Sequence, residues 1–179
     1  MNELLPAVFL DRDGTIIEDV PYGTDPDKVH LFPDVRDGLT RLKAAGFHNV
    51  IITNQSGIGR GWVTPSQYSA IHARLLKLLG FDLIDGTYFC PDAPDTPSER
   101  RKPAPGMVLQ AAEELGLDLR ASWFIGDKTS DLECGENAGV RSILVRTGEG
   151  AKADPRAATY IAETFTDAVD FILTNSHGK

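Results

Sequence analysis

Residues 7–15, Ala7-Val8-Phe9-Leu10-Asp11-Arg12-Asp13-Gly14-Thr15, pass in one step from an unbroken apolar run to two carboxylates, an arginine and a glycine. Four apolar residues without polar alternation read as a strand buried on both faces, as in a parallel sheet covered by helices on either side. Asp-Gly then supplies a tight turn that carries charged groups away from the strand end. The same pattern recurs downstream. Asn49-Val50-Ile51-Ile52 runs into Thr53-Asn54-Gln55-Ser56-Gly57, and Trp123-Phe124-Ile125 runs into Gly126-Asp127-Lys128.

Amphipathic stretches separate these strands. Asp34 is placed to cap a helix reaching about Ala45, with Val35, Leu39 and Leu42 on one face and Gly46 as its stop. Thr64-Pro65-Ser66-Gln67 is a capping-box pattern with proline at the first helical position. It opens a helix to about Leu79 that carries Tyr68, Ile71, Leu75 and Leu78 at helical spacing. Residues 84–89 read as a strand. Prolines at 91, 94, 97, 103 and 105 make the next stretch a loop. A helix from Gly106 to Gly116, a short helix over 130–137, a strand over 141–145, a weak strand over 159–161 and a closing helix over 166–173 complete the pattern. Such alternation predicts parallel βαβ units with right-handed crossovers. The expected fold class is α/β: a single three-layer α/β/α Rossmann-like sandwich over residues 1–179, with a mainly parallel sheet. Its functional crevice belongs at the carboxyl ends of the strands.

Composition narrows the partners. The 179 residues hold 18 Lys and Arg against 26 Asp and Glu, a net charge of −8, which runs against a nucleic-acid partner. No run of 18 apolar residues occurs, so no membrane span is expected. The opening MNELLPAVFLDRDG reaches charged groups before an apolar targeting core could form, which predicts a cytoplasmic protein. Cys90 and Cys134 are too few for a disulfide framework and read as small apolar residues. The four histidines, His30, His48, His72 and His177, are scattered, and none is assigned a catalytic role. Nothing signals an obligate interface, so a monomer is expected.

Parallel strands would bring Asp11 and Asp13, Thr53 and Asn54, Asp127 and Lys128, and the Arg101-Lys102 pair to one edge. Carboxylates crowded there repel one another unless a cation sits among them, and oxygen-only ligands select a hard ion such as Mg²⁺. Lysine and arginine beside such a nest suit a dianionic ligand, and phosphate fits. Asp11 can then attack phosphorus as a carboxylate nucleophile. Asp13, across the turn, can protonate the leaving oxygen and later activate water, help worth roughly 10²–10⁴ in rate.

Asp11-Arg12-Asp13-Gly14-Thr15, Thr53-Asn54-Gln55-Ser56, Arg101-Lys102-Pro103 and Gly126-Asp127-Lys128 followed by Asp131 resemble, in order, the four motifs of the haloacid-dehalogenase-like phosphohydrolases. The likeness runs from Phe9 to about Gly148. More narrowly, TNQSGIGRG, the stretch from YFCP to RKPAPGM, and GDKTSDLECGENAG look like the D-glycero-D-manno-heptose 1,7-bisphosphate phosphatases, with histidinol phosphatases as near neighbours. The resemblance implies a Mg²⁺-dependent phosphomonoester hydrolase working through an aspartyl-phosphate. Asp11 would be nucleophile and metal ligand, and Asp13 the acid–base that also lends its carbonyl to the metal. Thr53 would bind phosphoryl oxygens, while Arg101 and Lys102 would stabilise transferring charge. Asp127 would ligate Mg²⁺ directly and Asp131 through a water. Asn54, Gln55, Ser56 and Lys128 would face a small phosphorylated sugar.

Only 39 residues separate Asp13 from Thr53, and 48 separate Thr53 from Lys102. Those spans have no room for the large cap domain found in other branches of the family, so specificity is expected from segments 19–32, 57–62 and 90–101. Arg60, between Gly59 and Gly61, is the candidate for a second anionic group of the substrate, with Trp62 beside it as a wall of the crevice. Many heptose bisphosphate phosphatases bind zinc in the loop before the Arg-Lys motif through one His and three Cys. Here that loop keeps Cys90 alone and no histidine, so no structural zinc is expected and the prolines must stiffen it. The favoured substrate is heptose 1,7-bisphosphate, losing its 7-phosphate; histidinol phosphate or another small ester is the alternative. A phospho-accepting receiver-like module is the alternative outside the enzymes.

Overall fold

The apolar run Ala7–Leu10 forms the central strand, β1, of a six-stranded sheet. The other strands are β2 (His48–Asn54), β3 (Gly86–Cys90), β4 (Trp123–Gly126), β5 (Arg141–Val145) and β6 (Tyr160–Ala162). The helices are α1 (Val35–Ala44), α2 (Ser56–Gly59), α3 (Pro65–Leu79), α4 (Gly106–Leu115), α5 (Thr129–Ala138) and α6 (Phe165–Asn175). Short 3₁₀ turns lie at Pro26–Lys28 and Leu119–Ala121. This structure, a computed structural model, describes residues 4–19 and 22–176; His177, two residues of the 19–32 segment and both ends of the 1–179 span lie outside it.

All strand pairs are parallel, in the order β3-β2-β1-β4-β5-β6. Successive side chains of a strand point to opposite faces, and β1 shows what that does here. Val8 and Leu10 enter the layer filled by α1, α3 and α6, while Ala7 and Phe9 enter the layer filled by α4 and α5. Both faces of the sheet are therefore dry, which is why the strands read as continuous apolar runs. The α/β sandwich is as expected, and no inserted cap domain occurs among the described residues.

The capping box of α3 forms as read: the Thr64 hydroxyl oxygen accepts from the Gln67 N–H at 3.2 Å, and Gln67 Oε1 accepts from the Thr64 N–H at 2.9 Å. Its buried stripe is Tyr68, Ile71, Leu75 and Leu79, with Leu78 only partly covered, so the face is turned by one residue from the expected one. The expected strand over 84–89 is shifted to Gly86–Cys90. Asp85 is drawn off the strand end because its carboxylate accepts from the Asn49 N–H (2.8 Å) and from Lys43 Nζ (2.6 Å).

Asp34 does not cap its own helix. Its backbone is already helical (φ −94°, ψ −6°), so its side chain makes no bond to the first turn of α1. Instead its Oδ2 accepts from the backbone N–H of Thr166 (2.7 Å) and from the Thr166 hydroxyl (3.0 Å), capping α6 from outside and tying it to α1. Asp34→Ala should cost about 0.5–2 kcal/mol in urea denaturation, the usual worth of a cap. A double-mutant cycle with Thr166→Val should give a coupling of at least about 0.5 kcal/mol, since the two groups share one interaction. Strict additivity would place Asp34 back on α1.

Candidate active site

Leu10, the last residue of β1, is level with Ile51 of β2 and Ile125 of β4. Asp11 thus leaves the sheet between two strands, with its N–H donating to the Ile125 carbonyl at 3.0 Å. Here the strand order changes direction, β2 and β3 lying to one side of β1 and β4 to β6 on the other, where open α/β sheets form their crevice.

Lys102 reaches this point from the loop after β3 and is 4% exposed. Its ammonium donates to Asp11 Oδ1 (2.7 Å) and to the Ile52 carbonyl (2.8 Å). Asp131 Oδ1 lies 2.6 Å away on the other side, a charge contact without hydrogen-bond alignment. Burial favours the neutral amine, yet Asp11 and Asp131 outweigh it and hold Lys102 above the usual lysine value. Burial would likewise raise Asp11, but Lys102 and Lys128 overcome it and keep that carboxyl below the ordinary range.

Asp127 follows β4 directly and is fully buried. Its Oδ1 accepts from the Thr15 hydroxyl (3.4 Å) and its Oδ2 from the Glu149 N–H (2.8 Å). Gly14 (φ +90°) and Gly148 (φ +54°) lie flat against this carboxylate, and a Cβ on either would run into Oδ2. Burial, then the charges of Asp11 and Asp131, push Asp127 up to about 8. Burial and Asp11 push Asp131 up to about 6 against the pull of Lys102. One oxygen from each of Asp11, Asp127 and Asp131 lies within 4.8 Å of the others. Three dry carboxylates around a single buried ammonium are short of positive charge, and an all-oxygen donor set of this kind fits a hard divalent cation.

Asp13 stands apart, held by its neighbours. Arg12 Nε donates to Oδ2 (2.9 Å) and Arg12 Nη2 to Oδ1 (3.0 Å), a bidentate fork. Gln55 Nε2 donates to Oδ2 (3.0 Å) and also to the Thr53 hydroxyl oxygen (2.8 Å), while Gln55 Oε1 accepts from Arg12 Nη2 (3.1 Å). Arg12 is itself buried, with its guanidinium carbon 5.7 Å from the centre of the Tyr68 ring. Asn54 spends both ends of its amide on the main chain of Lys102, accepting from its N–H (3.1 Å) and donating to its carbonyl (3.2 Å).

A cavity of about 290 Å³ opens over Asp11, Arg12, Asp13, Asn54, Gln55, Lys102 and Asp131, lined also by Ser56, Lys128 and by Asp19, Asp25 and Lys28 of the segment after β1. Thr53 and Asp127 do not line it but are joined to Gln55 and to the carboxylate cluster. Of segment 57–62 only Gly57 lines it, and of 90–101 none of the described residues does. Arg60 does not line it; its guanidinium stacks on Trp62 at 4.8 Å, and Trp62 meets Tyr22 edge-on at 4.6 Å. Arg101 does not line it either and donates to the Asp92 carbonyl at 3.1 Å. The structure therefore gathers Asp11, Asp13, Thr53, Asn54, Gln55, Ser56, Lys102, Asp127, Lys128 and Asp131, and leaves Arg60 and Arg101 at the margin. Sequence reasoning missed Arg12, whose position between two carboxylates was the available signal. It also missed the Gly148–Glu149 backbone at Asp127, for which residue types offered none.

A family model described as HAD-hydrolase-like matches residues 99–168. The chain is 41% identical over 169 residues to the D-glycero-β-D-manno-heptose-1,7-bisphosphate 7-phosphatase of Yersinia pestis, covering 88% of this chain and 89% of that one. It is 37% identical over 178 residues to the enzyme of the same name from Escherichia coli K12, covering 93% of each. The crystal structure of the D,D-heptose 1,7-bisphosphate phosphatase of B. bronchiseptica, complexed with magnesium and phosphate, matches with a TM-score of 0.87 at 30% identity, covering 96% of this chain and 99% of that one. With this much sequence shared along nearly the full length, the chain belongs to the haloacid-dehalogenase-like phosphohydrolases, in the family of the heptose 1,7-bisphosphate phosphatases, and is a phosphoric monoester hydrolase.

Proposed function

We propose that the protein hydrolyses the 7-phosphate of D-glycero-D-manno-heptose 1,7-bisphosphate through an aspartyl-phosphate on Asp11, with Mg²⁺ as its cofactor. The observation that carries this reading is the convergence of three buried carboxylates, Asp11, Asp127 and Asp131, two of which are paired with Lys102. The names of the Yersinia and Escherichia relatives support the substrate, and the magnesium and phosphate in the B. bronchiseptica structure support the cofactor. The enzyme acts as a single cytoplasmic domain over residues 1–179, a monomer, in the supply of nucleotide-activated heptose for surface polysaccharide.

Asp11, kept ionised by Lys102 and Lys128, attacks phosphorus, and the bond to the sugar oxygen breaks. Asp13 gives the leaving oxygen its proton, then takes one from the water that cleaves the Asp11–phosphoryl bond. Arg12 and Gln55 fix the orientation of Asp13 through both of its oxygens. Lys102 and the Thr53 hydroxyl face the phosphoryl oxygens, and Asn54 sets Lys102 from its main chain. Lys128 faces the substrate from the cavity wall. Asp11, Asp127 and the Asp13 carbonyl would hold Mg²⁺, with Asp131 acting through a water, and the ion would neutralise charge on the transferring phosphoryl group.

Steady-state kinetics with Mg²⁺ should give kcat/KM for heptose 1,7-bisphosphate at least about tenfold above histidinol phosphate, or ~1.4 kcal/mol of transition-state preference. Asp11→Asn should abolish turnover of both. A reversed ratio would reassign the substrate, and turnover surviving in Asp11→Asn would end the aspartyl-phosphate scheme. Acetyl phosphate should be consumed catalytically; a lasting phospho-form would instead mark a receiver-like module.

Metal affinity should depend on pH because the ligands must shed protons. Asp127 at about 8 and Asp131 at about 6 bind protons more firmly in the folded chain than at the ordinary carboxylate value of 3.8. Protonation of these two groups therefore favours the metal-free fold, a contribution fully present below 3.8 and lost as pH rises from there through about 6 for Asp131 and about 8 for Asp127, where the folded-state protons leave. The Mg²⁺ dissociation constant read by titration calorimetry should tighten across that window and level off above it. The rise in Tm given by Mg²⁺ should grow over the same range. A pH-independent constant from pH 6 to 8 would contradict the assignment of Asp127 as ligand.

A further inference from the structure

The segment joining β3 to α4 carries Arg101 and Lys102, and it contains a hydrogen-bond network that the reaction itself does not use. Cys90, the last residue of β3, is fully buried. Its thiol donates to Asp92 Oδ2 at 3.4 Å and lies 3.6 Å from the Ser98 hydroxyl oxygen. That oxygen accepts from the backbone N–H groups of Arg100 (3.2 Å) and Arg101 (3.1 Å). Hydrogen bonds from Ser98 and then Cys90 hold the Asp92 carboxyl below its ordinary value. A serine hydroxyl has one proton to give and two lone pairs to fill; Ser98 fills both lone pairs with these two N–H groups and keeps its proton for the side chains of Cys90 and Asp92 beside it. Two arginines brace the same loop: Arg101 donates to the Asp92 carbonyl (3.1 Å) and Arg100 to the Phe89 carbonyl (3.2 Å). A single hydroxyl thus fastens residues 90–92 to the two residues that precede Lys102.

A structural zinc does not fit this loop. One thiol, one carboxylate and one hydroxyl are not the closed tetrahedral set of nitrogen and sulfur ligands that such sites need, and each is already engaged in hydrogen bonds. We propose that a hydrogen-bonded clasp centred on Ser98, in place of a metal, fixes this loop, and that Ser98 is a positioning residue for Lys102. The proposal rests on the role given to Lys102 above. The Lys102 ammonium sits among Asp11, Asp131 and the Ile52 carbonyl, so its placement depends on where the main chain at 100–102 is held. Ser98 sets the first two of those residues and Asn54 the third.

The test uses p-nitrophenyl phosphate with Mg²⁺, a probe independent of the sugar. Ser98→Ala should lower kcat about tenfold or more with KM within about twofold, as for a displaced catalytic group. Ser98→Thr, which keeps the oxygen, should restore most of the rate. Ser98→Ala should also open the chain to trypsin after Arg100 and Arg101, where the unsubstituted enzyme resists. The purified enzyme should hold far less than one zinc per chain, and a zinc-selective chelator should leave its Tm and tryptic resistance unchanged. Stoichiometric zinc whose removal loosens the loop would overturn the clasp, as would a Ser98→Ala enzyme with unchanged kcat and tryptic resistance. If the unsubstituted enzyme hydrolyses no phosphate ester, the catalytic reading falls, and trypsin and zinc content still decide the clasp.

Discussion

Three carboxylates that repel one another in a dry place are the constraint around which the molecule is organised. Asp11, Asp127 and Asp131 are each at most 4% exposed, and water can do little to screen them. One ammonium, Lys102, touches two of them. The remaining imbalance shows in the carboxyl of Asp127, driven up to about 8 by burial and by its two neighbours. A fold stores such a cluster only if the backbone holds the groups together more firmly than their charges push them apart, and only if a cation makes the arrangement useful. Stability and function therefore pull against each other at this point, as they do at many catalytic sites.

The parallel sheet supplies the force that holds them. Asp11 hangs from β1 and Asp127 from β4, adjacent strands locked by the pairing of Leu10 with Ile125. Asp131 sits one turn into α5, where its Oδ2 accepts from the Lys128 N–H at 3.0 Å, so the helix that follows β4 returns a second carboxylate to the same place. Lys102 comes from a loop with no sheet of its own to fix it, and its position depends on side chains, Asn54 on one side and Ser98 on the other. Of the four chemical groups, the one brought by a loop is thus the one with the most auxiliary bonding around it. That distribution follows from the mobility that a connection without strand pairing would otherwise keep.

Much of this was legible in the chain, and the parts that were not share a cause. The ends of β1 and β4 could be read because an apolar run gives way to Asp11 and, past Gly126, to Asp127, whereas β2 runs on through Thr53 to Asn54, two residues beyond the end its apolar run suggested, because both pair with β3. The capping box at Thr64 could be read because both of its partners are local. Asp34 could not be read correctly, since its partner Thr166 lies 132 positions away and only the packing of α1 on α6 reveals it. Leu78 and Leu79 differ by one step of helical phase, which only the sheet beneath them decides. Arg12 was visible as a residue but not as a clamp: its bond to Asp13 is local, yet its other partners, Gln55 after β2 and Tyr68 on α3, come from later elements of the chain. Arg60 and Arg101 show the converse. Their charge and neighbours in the sequence suggested a ligand, while the structure has given each another partner, the Trp62 face and the Asp92 carbonyl.

The two carboxylates of the first motif, two residues apart, are given different surroundings, and the difference suits the work proposed for each. The Asp11 side chain is 6% exposed and its partner is a lysine fixed on three sides, which suits a nucleophile that must stay ionised and free of tightly held water. The Asp13 side chain is 21% exposed and lies against the cavity, where it can meet both a leaving group and an incoming water. Its partners are the planar fork of Arg12 and the amide of Gln55, which set its direction without sealing it. The chain leaves β1 at Asp11 and turns over residues 12–17, where the Arg12 carbonyl accepts from the Ile16 N–H at 2.9 Å and the Ile17 carbonyl from the Gly14 N–H at 2.8 Å, so the two carboxylates meet different neighbours. Gly14 is the hinge of that turn, and its lack of a side chain also leaves room for Asp127. A side chain there would run into the Asp127 carboxylate and strain a backbone held at φ +90°, so the turn after β1 and the carboxylate after β4 both require glycine at this position.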